Sequence, residues 1–358
     1  MTIDTATPAY RVLDISRYAP SGDNIQPWKF KLVNDTAFEV HLTDCADWMI
    51  YDKLTTSSFL ALGALFEYID IAAAEFGYAA TYTPVATDIP HKHIYYVALS
   101  EQDTVKSDLF DTLTTRTVQR KSMGTQALSV TEREQLMASL PDGFSVQLYE
   151  SEAQRKAYAK LLFENSYTRY AMPEGYHTHA EAIDWRKGYE QLSPIKIPPK
   201  ALGINPIMVA LTKVALSSWG LFHVIEKYLF GLILPRYLMD YVAVVKSTAV
   251  FVLTCDKTPT TQQDTIDSGR AMVRFWLMAN KLGLGFQPQY TPVLFAEYLR
   301  ANLSFTSSKR ALKRAKKINA TFKQLAGDDV VERSVFMGRL GRTPAVNSRS
   351  TRLTVAEL

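Results

Sequence analysis

The chain has 358 residues, 47% of them hydrophobic, and a formal net charge of +4. That is apolar material for one large core or two fused units, and too little charge to argue for a nucleic-acid partner. Two cysteines, Cys45 and Cys255, lie outside any metal-ligand spacing and fit a reducing compartment. The start, Met1-Thr-Ile-Asp-Thr-Ala-Thr-Pro, has neither a basic end nor an apolar run, so a cytoplasmic protein without a secretory signal is expected.

Residues 9–18 read as a short helix with Tyr10, Val12, Leu13 and Ile15 apolar. The stretch Tyr18-Ala-Pro20-Ser21-Gly22-Asp23-Asn24-Ile-Gln26-Pro27-Trp28 follows. Two prolines stiffen its ends, and Ser21 to Asn24 give a polar turn with exposed N–H groups. Gly22 would let backbone approach a flat partner. The residues fit a ligand loop, or a tight turn before a hairpin. Trp28–Val33 and Ala37–Leu42 alternate around Asn34-Asp35-Thr36 and read as that hairpin. Residues 55–76 form a small-residue helix that is apolar on nearly all sides and hence buried. Thr81–Val85 and the strand His93–Leu99 come next.

Ser107–Thr115 is helix-like and leads into Arg116-Thr-Val118-Gln-Arg120-Lys121, two arginines one helical turn apart. Such a pair suits a phosphate, or forms a solvated basic face. A capping box, Ser129-x-x-Glu132, opens a helix over 129–140; a strand at 145–149 and a helix at 152–166 follow. His177-x-His179 with Glu181 has metal-ligand types but no recognised zinc spacing, so no metal is expected. Residues 206–245 are strongly apolar, yet Lys213, His223, Glu226, Lys227, Arg236 and Asp240 interrupt them and Pro235 breaks them. No window there reaches the roughly 18 uncharged residues of a spanning helix. Helices that cover a site or pack at an interface are the favoured reading, membrane contact the less favoured. The basic run Lys309–Lys317 has no interleaved aromatics and reads as a solvated face rather than a nucleic-acid surface. Ser334–Leu340 is a final strand.

One unit recurs. Ser268–Gly283 repeats the helix of residues 55–76, with Gly63 matching Gly269, Ala73 matching Ala279 and Gly77 matching Gly283 (269 − 63 = 206). Gln289-Tyr290-Thr291-Pro292-Val293 repeats Thr81–Val85 at 208 (292 − 84), and the strand Thr248–Thr254 completes the comparison. An internal duplication is expected.

Four stretches, in this order, carry a family resemblance: the loop at 18–28; Arg116–Lys121; Gly283-Leu-Gly-Phe-Gln287-Pro288-Gln289-Tyr290-Thr291-Pro292; and Arg339-Leu-Gly341-Arg342-Thr-Pro344…Asn347-Ser-Arg349-Ser350-Thr-Arg352. Together they resemble the nitroreductase superfamily of FMN-binding oxidoreductases, closest to its single-chain, internally duplicated, lid-bearing (Acg-type) branch. The resemblance implies an α+β fold, with antiparallel sheets flanked by helices and a pseudo-dimer within one chain. A first, partial half over residues 1–110 and a second over 111–358 are expected, with a helical lid insert at about 170–245. Pro20, Ser21, Gly22 and Asn24 would lie on the flavin edge, with Gln26 and Trp28 bracing the loop. Arg116, Arg120, Arg349 and Arg352 would hold the ribityl phosphate, and Gln289, Tyr290 and Thr291 would turn backbone to the ring. At Val118 the family has Ser or Thr, so Thr115 or Thr117 must replace that hydroxyl. The loop belongs to one half and the arginines to the other, which implies one FMN per chain and an incomplete second pocket opposite.

The sequence has no Gly-x-Gly-x-x-Gly, Walker loop, Gly-x-Ser-x-Gly or His-Glu-x-x-His, so the chemistry is expected to come from a cofactor. The resemblance implies hydride transfer from NADH or NADPH through the flavin to a small electron-poor or aromatic acceptor. The alternatives are a non-catalytic FMN-sequestering protein with a closed lid, and a peripheral membrane or scaffold protein. The assembly would be a pseudo-dimeric monomer or a homodimer.

Overall fold

The chain opens with a helix, Pro8–Ser16 (α1), capped by Thr7, whose Oγ1 accepts from the Tyr10 N–H. Alternating residues then pair Trp28–Asn34 (β1) with Ala37–Thr43 (β2), antiparallel, Trp28 opposite Leu42 and Phe30 opposite Val40. In this computed structural model, which describes residues 5–228, 233–344, 346 and 348–358, β2 leads through the helix Thr56–Glu75 (α2) to Tyr78–Val85 (β3) and Lys92–Glu101 (β4). Met1–Asp4, Phe230 and Asn347 of the sequence readings lie outside the described residues.

The second sheet is built to the same plan. After Val130–Ala138 (α3) come Phe144–Tyr149 (β5), Ala249–Cys255 (β6), the helix Gln262–Lys281 (numbered α10 in chain order), Leu284–Pro288 (β7) and Ser334–Arg342 (β8). Strand orders are β1-β2-β4-β3 and β5-β6-β8-β7, antiparallel throughout, with a 20-residue helix between the second and third strand of each. The fold is α+β, two four-stranded antiparallel sheets flanked by helices, with one topology used twice.

The two long helices cross at their glycines. A Cβ on Gly63 would lie 1.9 Å from the Ile266 carbonyl oxygen, one on Gly269 2.1 Å from that of Leu60, and either would lie 3.0 Å from the Cα of the other glycine. The separation of the glycines also separates the residues they abut (269 − 63 = 266 − 60 = 206). Reciprocal contact between equivalent residues is the mark of a two-fold axis, so the pair that marks the repeat in sequence marks its axis in space. Glu67 secures the crossing, accepting from Arg274 at 2.6 Å.

The sheets differ in how they are covered. Alternate residues of β6 serve two cores: Phe251 and Leu253 pack toward α2 and α10, Val250 and Val252 against the opposite layer. That layer comes from two insertions. Between β5 and β6 lie Glu152–Tyr170 (α4), Pro173–Ala182 (α5), Pro206–Ala215 (α6), Trp219–Tyr228 (α7), Ile233–Arg236 (α8), a π turn at Tyr237–Val242 and Ala243–Val245 (α9). Between β7 and β8 lie Thr291–Arg300 (α11), Lys309–Ala326 (α12) and Asp328–Arg333 (α13). The C-terminal tail crosses back to the first sheet, where the Phe30 N–H donates to the Leu358 carbonyl at 2.9 Å.

Two expectations change. Ser107–Thr115 is not a helix but holds one 3₁₀ turn, Phe110–Thr112. Gln289–Val293 does not repeat Thr81–Val85 structurally, because Pro292 at the start of α11 favours a helix where β3 is extended. His177 and His179 lie on a helix, α5. Among the described residues α2 is the one single helix long and apolar enough to cross a membrane, and 83% of that span is buried in the core; α6 and α7 reach the same length only together, across a 113° bend.

Candidate functional site

The loop at 20–27 is tied from three directions. Ser21 Oγ accepts the Gln26 N–H at 3.0 Å. Gln26 Nε2 donates to the Pro194 carbonyl at 2.7 Å, and its Oε1 accepts the Leu353 N–H at 3.1 Å. Asn24 Nδ2 donates to Pro194 and Thr351 carbonyls at 3.0 and 3.2 Å. Gln26 therefore braces the loop as expected. Trp28 is fully buried beneath it. Asn24 also braces the loop, leaving only its buried, unpartnered Oδ1 for anything else. The strain is not at Gly22, where a Cβ would meet nothing, but at Asp23, Asn24 and Gln26, with φ of 48°, 64° and 47°. Three left-handed residues in so short a span cost on the order of 1 kcal/mol each and collect where geometry serves a site.

Beside the α2–α10 crossing is a cavity of about 530 Å³. Pro20, Ser21, Gly22, Asn24, Arg116, Arg120, Gln289, Tyr290, Thr291, Arg349 and Arg352 all line it, as do Leu60 and Ala61 of α2 and Met272 and Trp276 of α10. Its volume falls in the range of small-molecule sites.

One end carries positive charge without a counter-charge. Arg116 donates from Nε to the Tyr68 hydroxyl at 3.0 Å, and its guanidinium lies 4.3 Å from the centre of the Trp276 ring. Arg349 donates to the Thr114 carbonyl at 2.5 Å, and Arg352 to that of Thr351 at 2.9 Å. None of the three is paired with a carboxylate among the described residues. Burial, then the charges of Arg116 and Arg349, push Arg352 down to about 9. Arg116 is buried, Arg352 partly buried and Arg349 exposed, and like charges gathered in this way are unfavourable unless an anion joins them.

Arg120 does not join this cluster. Residues 116–120 lie in no helix, so the one-turn spacing has no helix to act on. Arg120 donates instead to the Ala201 carbonyl at 2.8 Å and faces Asp23. Arg339 holds that segment. It is buried within β8, donates to the Arg120 and Lys121 carbonyls at 2.9 and 3.1 Å, and burial lowers it to about 10. An arginine in the middle of the apolar run from Val335 to Leu340 was the available signal for it.

The segment after α10 contributes less than expected. The Gln289 N–H is taken by the Met337 carbonyl at 2.9 Å. Tyr290 and Thr291 stand at the start of α11, whose first N–H groups have no intrahelical partner. Gln287 Oε1 and Gln289 Oε1 are buried without partners. Thr117 lines the cavity and Thr115 does not, so Thr117 is the hydroxyl available beside Val118.

The far end was not read from the sequence. Tyr51, Arg169, Tyr170, His179, Phe222 and Asp240 converge there, most from the insertion between β5 and β6. Among the described residues no group of three or more His, Cys, Asp or Glu is placed to hold a metal. Tyr51 Oη and His179 Nε2 are 3.1 Å apart. Burial, reinforced by Arg169, holds His179 neutral by lowering it to about 3. An unfolded histidine titrates near 6.5, so between about 3 and 6.5 unfolding takes up a proton and stability falls as pH falls. We expect His179→Gln to flatten the decline in unfolding free energy, measured by urea titration, between pH 7 and pH 5 by about 1 kcal/mol, discounted for cavity water. An unchanged slope would show His179 already charged in the native state.

Residues of α6 to the π turn, among them Thr212, Phe222, Arg236 and Met239, form part of the cavity wall, so the described part of 206–245 covers it. Its outer face leaves Ile207, Leu211, Val214 and Leu234 exposed. At the positions equivalent to Met272 and Trp276 stand Phe66 and Asp70, where the Tyr82 hydroxyl donates to Asp70 at 2.6 Å and Arg270 lies over the Phe66 and Tyr82 rings.

No family model and no curated protein matches the chain. Among solved structures, the nitroreductase-like family protein from Bacillus cereus aligns over 71% of this chain and 95% of its own, at 14% identity and a TM-score of 0.35, a likeness too slight to assign residues or activity.

Proposed function

We propose that the cavity binds one FMN per chain and that the protein is an FMN-dependent NAD(P)H oxidoreductase. The observation that carries this reading is the end formed by Arg116, Arg349 and Arg352, three guanidinium groups without a carboxylate, opening into the same cavity as the strained loop at 20–27. A phosphate meets the first feature; a flat heterocycle with N–H edges meets the unpartnered oxygens of Asn24, Gln287 and Gln289. The residues present therefore fit the group.

Bound FMN supplies the hydride-carrying chemistry, taken from NADH or NADPH and passed to a small acceptor. The chain supplies the rest. Arg116, Arg349 and Arg352 neutralise the phosphate, and Arg116 is held for that task by Tyr68 and Trp276. Pro20, Ser21 and Gly22 bound the ring edge, with the Ser21 hydroxyl still able to donate after accepting from Gln26. The N–H groups of Tyr290 and Thr291 offer donors where negative charge builds. The covering segment excludes water. On this reading residues 1–110 contribute the loop and 111–358 the arginines, and Tyr82 and Arg270 fill the equivalent second place.

The covering segment also favours a second reading, a protein that binds FMN and withholds it. Anaerobic mixing of the FMN-loaded protein with NADH and with NADPH separates the two. Loss of the oxidised-flavin absorbance supports the oxidoreductase; retained FMN that neither donor reduces supports sequestration.

A further inference from the structure

The end of the cavity remote from the arginine cluster has a charge and a shape that the flavin reading does not use. Arg169, on the last turn of α4, has NH2 3.7 Å from Asp240 Oδ1, too long for a hydrogen bond, and its Nε is buried with no partner. The guanidinium is held by charge but left with donors to give. Asp240 sits on the π turn at 237–242, a local irregularity that tends to occur where a site is being shaped. Tyr51, Tyr170, His179 and Phe222 form a wall beside Arg169, with Tyr170 5.3 Å from the His179 ring and 5.8 Å from that of Phe222, centre to centre. The strongest electrostatic neighbours of Arg169 are Asp240, Tyr51, Tyr170 and Asp23; those of Arg352 are Arg116, Tyr68, Arg349 and Tyr18. Arg169 lies by Asp240 of the π turn, Arg352 against the Ala19, Ser350 and Thr351 carbonyls, and both line the one cavity.

We propose that this end is a subsite for a small planar aromatic acid, its carboxylate on the Arg169 guanidinium and its ring against Tyr51, Tyr170 and Phe222. The inference rests on the proposed function only in naming the acceptor's class, because the subsite itself contains no flavin-binding residue. A carboxylate matches the fork of an arginine in two parallel hydrogen bonds, and Arg169 has the free Nε to make one of them. Asp240 competes for Arg169 only at the long 3.7 Å separation, and burial raises the pKa of both Asp23 and Asp240 against the pull of the arginines. His179 stays neutral and adds no rival cation.

The test is calorimetric titration of the full chain with benzoate and with benzamide, in the presence and absence of excess FMN. Benzoate is expected to bind at least about tenfold more tightly than benzamide, and Arg169→Met to erase most of that difference, in keeping with one charge-assisted contact. Asp240→Asn, nearly isosteric and safe from misfolding by overpacking, is expected to tighten benzoate severalfold by removing the competing carboxylate. Equal binding of the two probes, or weaker benzoate binding in Asp240→Asn, would overturn the proposal. Benzoate binding in a chain that takes up no FMN would leave the subsite standing and remove the flavin reading; FMN uptake without benzoate discrimination would do the reverse.

Discussion

Gly63→Ala is expected to lower stability by about 3–5 kcal/mol, at or beyond the upper end of what overpacking costs. The added Cβ would sit 1.9 Å from the Ile266 carbonyl oxygen, and backbone cannot swing aside as a flexible side chain can. Helices α2 and α10 must separate, which strips contact from the core on both sides of the crossing. Gly269→Ala meets the Leu60 carbonyl in the same way and should cost a similar amount. The effect should reach the cavity, since Leu60, Ala61, Met272 and Trp276 line it and Arg116 rests on Trp276. Gly22→Ala is the control: nothing lies within 4 Å of its Cβ, so stability should move by less than about 0.5 kcal/mol. Urea midpoints of the three variants check this. Equal stability of Gly63→Ala and wild type would mean that the two helices do not cross there.

The second large effect concerns binding. Replacing Arg349 and Arg352 together by glutamine is expected to weaken FMN by about 100- to 1,000-fold, as charge-assisted hydrogen bonds to phosphate are worth about 1.5–3 kcal/mol each. The protein without ligand should not suffer in proportion. Arg352 gives up bonds to carbonyls of Ala19, Ser350 and Thr351, but the cluster also loses its internal repulsion, so the melting temperature should stay within a few degrees of wild type or rise. Arg120→Gln separates this account from general loss of positive charge. Arg120 faces Asp23 and the Ala201 carbonyl rather than the cluster, and its replacement should weaken FMN less than about tenfold.

What the sequence made legible was local. The loop at 20–27 carries its geometry in its residue types: prolines at its ends, short polar side chains that tolerate left-handed backbone, and a glutamine long enough to reach other segments. The axis glycines could be found because close helix contact admits almost no other residue, which leaves a spacing in the sequence. Strand patterning placed most of both sheets, β2 by its alternation and β6 by an unbroken apolar run, but it does not single out β7, Leu284–Pro288.

The misses each have a physical cause. Ser107–Thr115 reads as helix-like, but the chain closes only one 3₁₀ turn there, Phe110–Thr112, before it runs on to the segment whose Arg120 and Lys121 carbonyls Arg339 binds. The repeat from Gln289 to Val293 matched letters but not backbone, since a proline fits both a strand edge and the first turn of a helix. The far end of the cavity draws Tyr51, Arg169, His179 and Asp240 from four places in the chain, and no spacing within one element announces them.

The measurement that bears most directly on the account is a fluorescence titration of FMN into the wild-type chain and into the Arg349→Gln, Arg352→Gln double variant. The account predicts saturation at one FMN per wild-type chain, with the binding lost from the double variant while its melting temperature holds. No quenching by the wild-type chain, or equal affinity in both proteins, would contradict it.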